Sequence, residues 1–436
     1  MRKSICLSFS LNEGEKIMRM MLVGAGAVGE CILKVLQKRD KDASWLEYVL
    51  ITDYDAARAE EVKSHLETAA SGITFETARV DAHEKETMVN LIRKHGVDFV
   101  MDAASPFVSN FIFDAAFEAG AGYASMGTWS VPKEHPEFGV GFEGSYLEPM
   151  TKYNFDRHEA WKEKGQMACI CLGIDPGVVN VFAKYAAEYL FDELWEVHVK
   201  DGGNLQVPGA GKDEIQFGFN VWTVLDEVMN PNAEWDSERG FLLEDAFAGE
   251  EDFQMPEPYG KNHLVKVEHE EVVTLPRYLQ SYGLKKASFK IALDDSLLNA
   301  LKVINSLGLR SIHPIEVDGV LVVPRDVVAA CAPQPKDIGA EMTGGMCVGV
   351  HCVGQKDGKR KEYFIYQPFD NQESMKTWGM QAVVAQTGFG AALGIELIGK
   401  GIWKDTGVFS PEYFPSKPFM DLMEEAGLPY VTEERA

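Results

Sequence analysis

The sequence predicts an α/β fold: a doubly wound parallel sheet followed by a second α+β domain with a mixed sheet. Three observations predict it. An apolar strand at 20–23 runs into Gly24-Ala25-Gly26-Ala27-Val28-Gly29 and then into a helical pattern. Strand and helix patterns alternate from there to about residue 129, as a doubly wound sheet requires. From about residue 195 the order of elements becomes mixed, which suits an α+β unit.

The first element carries the most chemistry. Strand, G-x-G-x-x-G and helix in that order form a Rossmann-type dinucleotide-binding unit. Gly24 allows the tight turn, Gly26 lets the backbone approach a pyrophosphate, and Gly29 lets helix and strand pack closely. Ala25, Ala27 and Val28 complete the loop, and the helix N-terminus faces the phosphates. The second strand, 48–52, is β-branched and aromatic and closes on Asp53. A carboxylate there accepts hydrogen bonds from ribose hydroxyls and repels a 2′-phosphate, so NAD is favoured over NADP. Arg58 lies near enough in sequence to blur that preference. The competing reading makes Asp53 a cap for the helix beginning near Ala56.

The third strand, 73–80, ends in Asp81-Ala82, and a helix follows at 87–95. The fourth, 98–102, ends in Ala103-Ala104-Ser105-Pro106 and feeds a helix at 110–119. The fifth, 122–126, ends in Gly127-Thr128. Ligands in such sheets sit off the carboxyl ends of the strands. Asp53, Asp81 and Ala82 suit the adenosine half; Ala104, Ser105, Pro106, Gly127 and Thr128 suit the nicotinamide half. A Gly/Pro-rich loop at 130–150 reads as a functional or domain-connecting segment. A polar helix is expected at 152–164. A sixth strand at 166–172 leads to Asp175-Pro176-Gly177 and a helix from Val178. Asp175 either holds the cofactor or caps that helix.

In the second half, strands are expected at 194–199, 289–293, 315–323, 346–353 and 361–367, and helices at 222–229 and 297–307. The acidic segment 232–268 has weak periodicity and reads as an excursion across a cleft or an oligomer contact. A helix rich in small residues is expected from 374 to 394, continuing to Lys400. No internal repeat appears.

Composition narrows the partners. The chain has 436 residues, 46% of them hydrophobic, and a formal charge of −25 from 67 Asp+Glu against 42 Lys+Arg. That balance argues against nucleic acid and against anionic membrane. No apolar run in the sequence reaches the ~18 residues of a membrane span, and a cytoplasmic protein is expected. The seven cysteines form no C-x-x-C and read as small buried hydrophobes. No His/Cys/carboxylate group shows metal-ligand spacing, so no metal is expected.

The ordered set Val23-Gly24-Ala25-Gly26-Ala27-Val28-Gly29, Ala103-Ala104-Ser105-Pro106-Phe107 and Leu172 to Asn180 resembles the saccharopine dehydrogenase family. Pro324-Arg325-Asp326-Val327-Val328, Ile398 to Ile402 and Gly407 to Glu412 extend the likeness to about Leu428. The resemblance implies a dinucleotide domain at 18–150, a substrate-binding and dimerisation domain at 151–375, and a C-terminal helical segment at 376–436 returning to the first. Residues 1–17 are then an extension, disordered or a start-site artefact before Met18. It implies an NAD(P)-dependent enzyme, a homodimer, oxidising or forming a carbon–nitrogen bond in an amino acid of the saccharopine or lysine type. The alternatives are a carboxynorspermidine-type polyamine substrate or a nucleotide-binding protein without turnover.

Such an enzyme needs a base near the nitrogen, because only a neutral amine donates hydride. The candidates are His269, Glu270 and Glu271, with His269 and Asp175 as the catalytic pair; the competing reading leaves His269 and Glu271 facing solvent on a strand edge. Arg277 suits a substrate carboxylate. Thr128, Asn220, Thr223 and the Asp201-Gly202-Gly203-Asn204 run are further polar groups, and Asn220 also suits a helix cap.

Overall fold

The computed structural model describes residues 17–129, 150–207, 215, 217, 221–311, 313–332, 340–428 and 430–435. The 130–149 loop, Asn220 and the extension up to residue 16 lie outside them.

The chain opens with β1 (Met18–Val23), α1 (Ala27–Arg39), β2 (Leu46–Asp53), α2 (Ala56–Leu66), β3 (Thr74–Arg79), α3 (Lys85–His95), β4 (Phe99–Asp102), α4 (Pro106–Ala119) and β5 (Gly122–Ser125). These strands pair in parallel. Helices cover both faces, so β1 and β4 are apolar and buried almost throughout rather than alternating.

The polar pattern at 152–164 forms two short helices, α5 (Lys152–Phe155) and α6 (His158–Glu163), instead of one. The next strand, β6 (Met167–Cys169), joins β5. After α7 (Val178–Tyr185) come β7 (Glu193–Gly203) and α8 (Val221–Met229).

The segment 232–268 is no excursion. It folds as β8 (Asn232–Asp236), β9 (Gly240–Glu244), β10 (Glu251–Gln254) and β11 (Lys261–Lys266). These strands are short and several are exposed on alternate residues, which is why apolar periodicity is faint there. The chain continues through α9 (Glu271–Leu279), β12 (Lys286–Ala292) and α10 (Asp295–Ser306). The single strand expected at 315–323 is a hairpin, β13 (Ile315–Val317) and β14 (Val320–Val322), turning at Asp318-Gly319 with both φ positive. α11 (Pro324–Cys331), β15 (Gly345–Lys356) and β16 (Lys359–Asp370) follow.

The expected helix from 374 is split into α12 (Asn371–Trp378) and α13 (Ala382–Gly399). Gly379, at φ +70, caps the first. α13 is 18 residues long and apolar enough to span a membrane, contrary to the sequence expectation, yet 78% of that window is buried inside the protein. It packs on α1: a Cβ on Gly388 would lie 2.6 Å from the Cys31 sulfur. Last come β17 (Gly407–Phe409), α14 (Lys417–Glu425) and β18 (Val431–Glu434).

The parallel sheet has the order β17-β6-β5-β4-β1-β2-β3. It therefore draws on residues well beyond 150: β6 and β17 extend it past β5. The mixed sheet runs β10-β11-β12-β7-β15-β16-β18, with β8 and β9 attached beside β12. β7 and β12 are parallel and the other pairs antiparallel. Five of the cysteines are buried as expected, but Cys331 is exposed at the end of α11.

Candidate active site

The glycine loop after β1 rejects side chains at two of its three positions. Gly24 has φ +99, and a Cβ there would lie 2.6 Å from the Ala103 carbonyl oxygen in the β4–α4 turn. A Cβ on Gly29 would run into the carbonyl oxygen of Gly24. Gly26, the N-cap of α1, is exposed, and nothing lies within 4 Å of a Cβ built on it. The open space there, beside the outward N–H groups of the first helical turn, fits a pyrophosphate.

Asp53 stands at the carboxyl end of β2. Its Oδ2 accepts from the Ala25 N–H at 2.8 Å and its Oδ1 from the Asp55 N–H at 2.9 Å. It is not the cap of α2: Asp55 is, through the Ala57 N–H. Arg58 is fully engaged, donating to the Ala25 carbonyl at 2.8 Å, to Glu30 at 2.6 Å and to Glu61 at 2.8 Å. Asp53 and Arg58 thus hold the glycine loop at Ala25 together, one through its N–H and the other through its carbonyl. Asp81 and Ala82 follow the edge strand β3, and Asp81 accepts from the His83 N–H at 2.9 Å.

At the other end, Ser105 and Pro106 start α4, and the Ala104 N–H donates to Asp102 at 3.0 Å. The Thr128 N–H and hydroxyl donate to Glu270 Oε1 at 2.8 and 3.2 Å. A Cβ on Gly127 would sit 3.4 Å from the same oxygen. Glu270, just before α9, thus ties the mixed-sheet domain to the carboxyl edge of the parallel sheet. Thr128, expected to meet substrate, positions Glu270.

The competing reading of His269 and Glu271 as solvent-facing fails: they are 5% and 0% exposed. His269 Nδ1 hydrogen-bonds Glu271 Oε2, and its ring stacks on Phe289 of β12, centroids 3.7 Å apart and planes 2° apart. Burial opposes a charged imidazole, but Glu271, and then Glu227 and Glu270, hold its pKa well above the ordinary value. Asp175, half-buried in the turn after β6, is pushed well up by burial and by Asp201, Glu271 and Glu227, against the pull of His269. Burial raises Asp201, at the end of β7, to about 7, with Glu271 adding to the rise. Asp201 Oδ1 and Glu271 Oε1 are buried without a hydrogen-bond partner among the described residues. Burial, then Glu271, raises Glu270 as well.

The result is a basin in which His269 faces Asp175, Asp201, Glu227, Glu270 and Glu271. One ligand atom from each of His269, Glu270 and Glu271 lies within 4.8 Å of the others, so the three base candidates also have the spacing of metal ligands, which the sequence reading did not expect. Because Nδ1 is bonded to Glu271, a metal on that nitrogen would have to break the pair.

Asn180, the N3 residue of α7, braces this region. Its Oδ1 accepts from the Gly177 N–H at 2.7 Å, and its Nδ2 donates to Thr274 of α9 at 3.0 Å and to Glu412 at 3.1 Å. Burial pushes the Glu412 carboxyl up. Arg277 is not brought to the basin. It is exposed, lies on α9 about 120° around from Glu271, and stacks over Phe155 with its guanidinium carbon 4.0 Å from the ring centre. Thr223 sits one turn before Glu227 on α8 and so shares its face.

The sequence reading places Asp201 among further polar groups without assigning it a role, and it does not name Glu227. A signal for Asp201 existed. Continuing the two-residue period of Val197 and Val199 puts Asp201 on the same apolar face, so a carboxylate there enters the interior. Glu227 has no comparable signal.

Two family descriptions match the chain: the saccharopine dehydrogenase NADP binding domain over residues 20–169, and the saccharopine dehydrogenase C-terminal domain over 173–428. The chain is 27% identical to carboxyaminopropylagmatine dehydrogenase of Synechocystis sp., covering 94% of this chain and 96% of that one. It is 28% identical to carboxynorspermidine synthase of Vibrio cholerae, covering 94% and 96%. In fold it is similar to the apo saccharopine dehydrogenase (L-Glu forming) of Saccharomyces cerevisiae, with a TM-score of 0.67 at 12% identity, over 96% of this chain and 100% of that one.

Proposed function

The chain belongs to the saccharopine dehydrogenase family, and from that premise we propose that it transfers a hydride between NAD(P) and the carbon of a carbon–nitrogen bond in a carboxylated amine. The observation that carries the reading is the Glu270 contact with Thr128, which supports a reacting centre where the mixed-sheet domain meets the parallel sheet. When bound, NAD(P) supplies the hydride acceptor or donor, held by the Gly24–Gly29 loop and Asp53.

The chain's own residues handle binding and protons. His269, oriented by Glu271 and flat on Phe289, exchanges the proton of the reacting nitrogen, with Asp175 as its partner at the crevice. Asp53 supports NAD over NADP, because its carboxylate would face a 2′-phosphate while Arg58 is tied to the Ala25 carbonyl and to Glu30.

Two substrate types suit this centre: an amino acid of the saccharopine or lysine type, and a carboxylated polyamine of the kind for which the two relatives are named. The excess of carboxylates around His269 favours the second. The proposal includes a homodimer in the cytoplasm acting on a free small molecule.

The test is the absorbance of reduced cofactor with saccharopine, lysine and a carboxylated polyamine, each with NAD and with NADP. Turnover is expected with the polyamine and NAD. Tight cofactor binding with no turnover of any of them would leave a nucleotide-binding protein and overturn the reading.

A further inference from the structure

Behind the glycine loop lies a buried carboxylate that the hydride-transfer reading leaves unused. Asp102 ends β4 beside Val23 of β1. It is 2% exposed, and no charged group from β1, β5 or α4 acts on it among the described residues. Three donors hold it instead. Oδ1 accepts from the Ala104 N–H at 3.0 Å, and Oδ2 accepts from the Tyr123 hydroxyl of β5 at 2.9 Å. The Ser109 side chain of α4 also donates to it. A buried ion without a counter-charge is costly, and an apolar residue at the end of β4 would avoid that cost.

The Ala104 bond closes the kind of turn that a short acidic side chain makes with the backbone two residues on. The glycine loop rests on this turn. The Ala103 N–H donates to the Val23 carbonyl at 2.8 Å, and a Cβ on Gly24 would lie 2.7 Å from the Ala104 nitrogen. From the opposite side, the Gly24 N–H donates to the Thr52 carbonyl at 2.9 Å. Gly24 is thus fixed between the end of β2 and the turn that Asp102 shapes. Ser105, the N-cap of α4, makes no side-chain cap bond.

Resting on the reading above, we propose that Asp102 is a positioning residue for the dinucleotide: its carboxylate holds the β4–α4 turn against Gly24, and the loop takes the pyrophosphate tightly only while that carboxylate is ionised. Burial raises the Asp102 carboxyl to about 6, against the pull of its three donors. Its titratable neighbour is Tyr123, which burial and Asp102 push well above the ordinary phenol value, so it stays a donor. A proton on Oδ2 would meet the Tyr123 O–H and break that bond. The cofactor then favours the ionised form, and its affinity falls as pH falls through that value.

Fluorescence titration of the full chain with NAD over a series of pH values tests this. From about pH 7.5 to about pH 5 the wild-type Kd should rise at least about 5-fold. Asp102→Asn offers one acceptor where the carboxylate offers two. Its Kd near neutral pH should match the wild-type value in acid and vary little with pH. Tyr123→Phe removes a donor from the ionised form, so its Kd should begin to rise at a higher pH than that of the wild type.

A wild-type Kd that stays flat or falls toward low pH overturns the proposal without any variant. So does an unshifted profile in Tyr123→Phe, or an Asp102→Asn protein that keeps the wild-type pH dependence. The two readings fail separately. NAD binding that follows Asp102, with no turnover of any substrate, removes the hydride-transfer reading and keeps this one. Turnover with an NAD affinity indifferent to Asp102 does the reverse.

Discussion

Asp53 shows how one side chain can hold two positions at once. It braces the glycine loop through the Ala25 N–H at the carboxyl end of β2, and on the proposed reading it also meets the ribose. Asp53→Ala should therefore weaken NAD by roughly 10-fold, about 1.4 kcal/mol, and NADP by less, in a fluorescence titration with each cofactor. Equal losses would assign Asp53 to the loop alone. Asp201 makes the opposite trade. Its folded-state pKa, about 7, lies above that of an exposed aspartate. The folded chain thus holds a proton that the unfolded chain has already released between about pH 4 and 7. Stability falls as pH rises through that window and levels off above it. Asp201→Asn should raise the melting temperature of the ligand-free protein at pH 7.5, by a gain of the order of 1–3 kcal/mol, and the gain should vanish near pH 4. His269 was legible as a candidate because it sits in a run of acids. Its stacking on Phe289 was not, since that contact crosses from the segment before α9 to β12.

At the scale of elements, the start of α7 and the start of α9 are locked together by Asn180. The Gly177 N–H, Thr274 and Glu412 all bond its amide. Asn180→Ala should cost about 1–3 kcal/mol for each buried group left without a partner, read by urea unfolding, and should lower kcat more than cofactor affinity. The strands of the parallel sheet were readable because burial on both faces makes them continuous apolar runs. The break between α5 and α6 was not readable, because no Gly or Pro interrupts 152–163, whereas Gly379 marked the break between α12 and α13. The Asp318-Gly319 pair between two apolar runs is a readable hairpin signal that the single-strand reading passed over. Both strands of that hairpin are largely exposed, with Val320 at 62% and Leu321 at 71%, so burial gives no cue there.

Across the whole molecule, the dinucleotide-binding sheet is completed by distant chain. Pairing of β6 with β5 and of β17 with β6 covers an edge that a fragment ending at residue 150 would expose. Such a fragment should fail to give a cooperative thermal transition, whereas the full chain should show one by circular dichroism. α13 reinforces the point, since 78% of its apolar length is buried inside the protein, where it packs on α1 and the mixed sheet. The strand–helix alternation up to β5, the glycine loop, the place of Asp53 after β2 and the family likeness were all determined by the sequence alone, because each is written in local spacing and side-chain period. The carboxylate basin was decided only by the tertiary structure. Its members lie on a turn after β6, the end of β7, a face of α8 and the start of α9, and they become one electrostatic unit when folding removes the water that would have screened them apart.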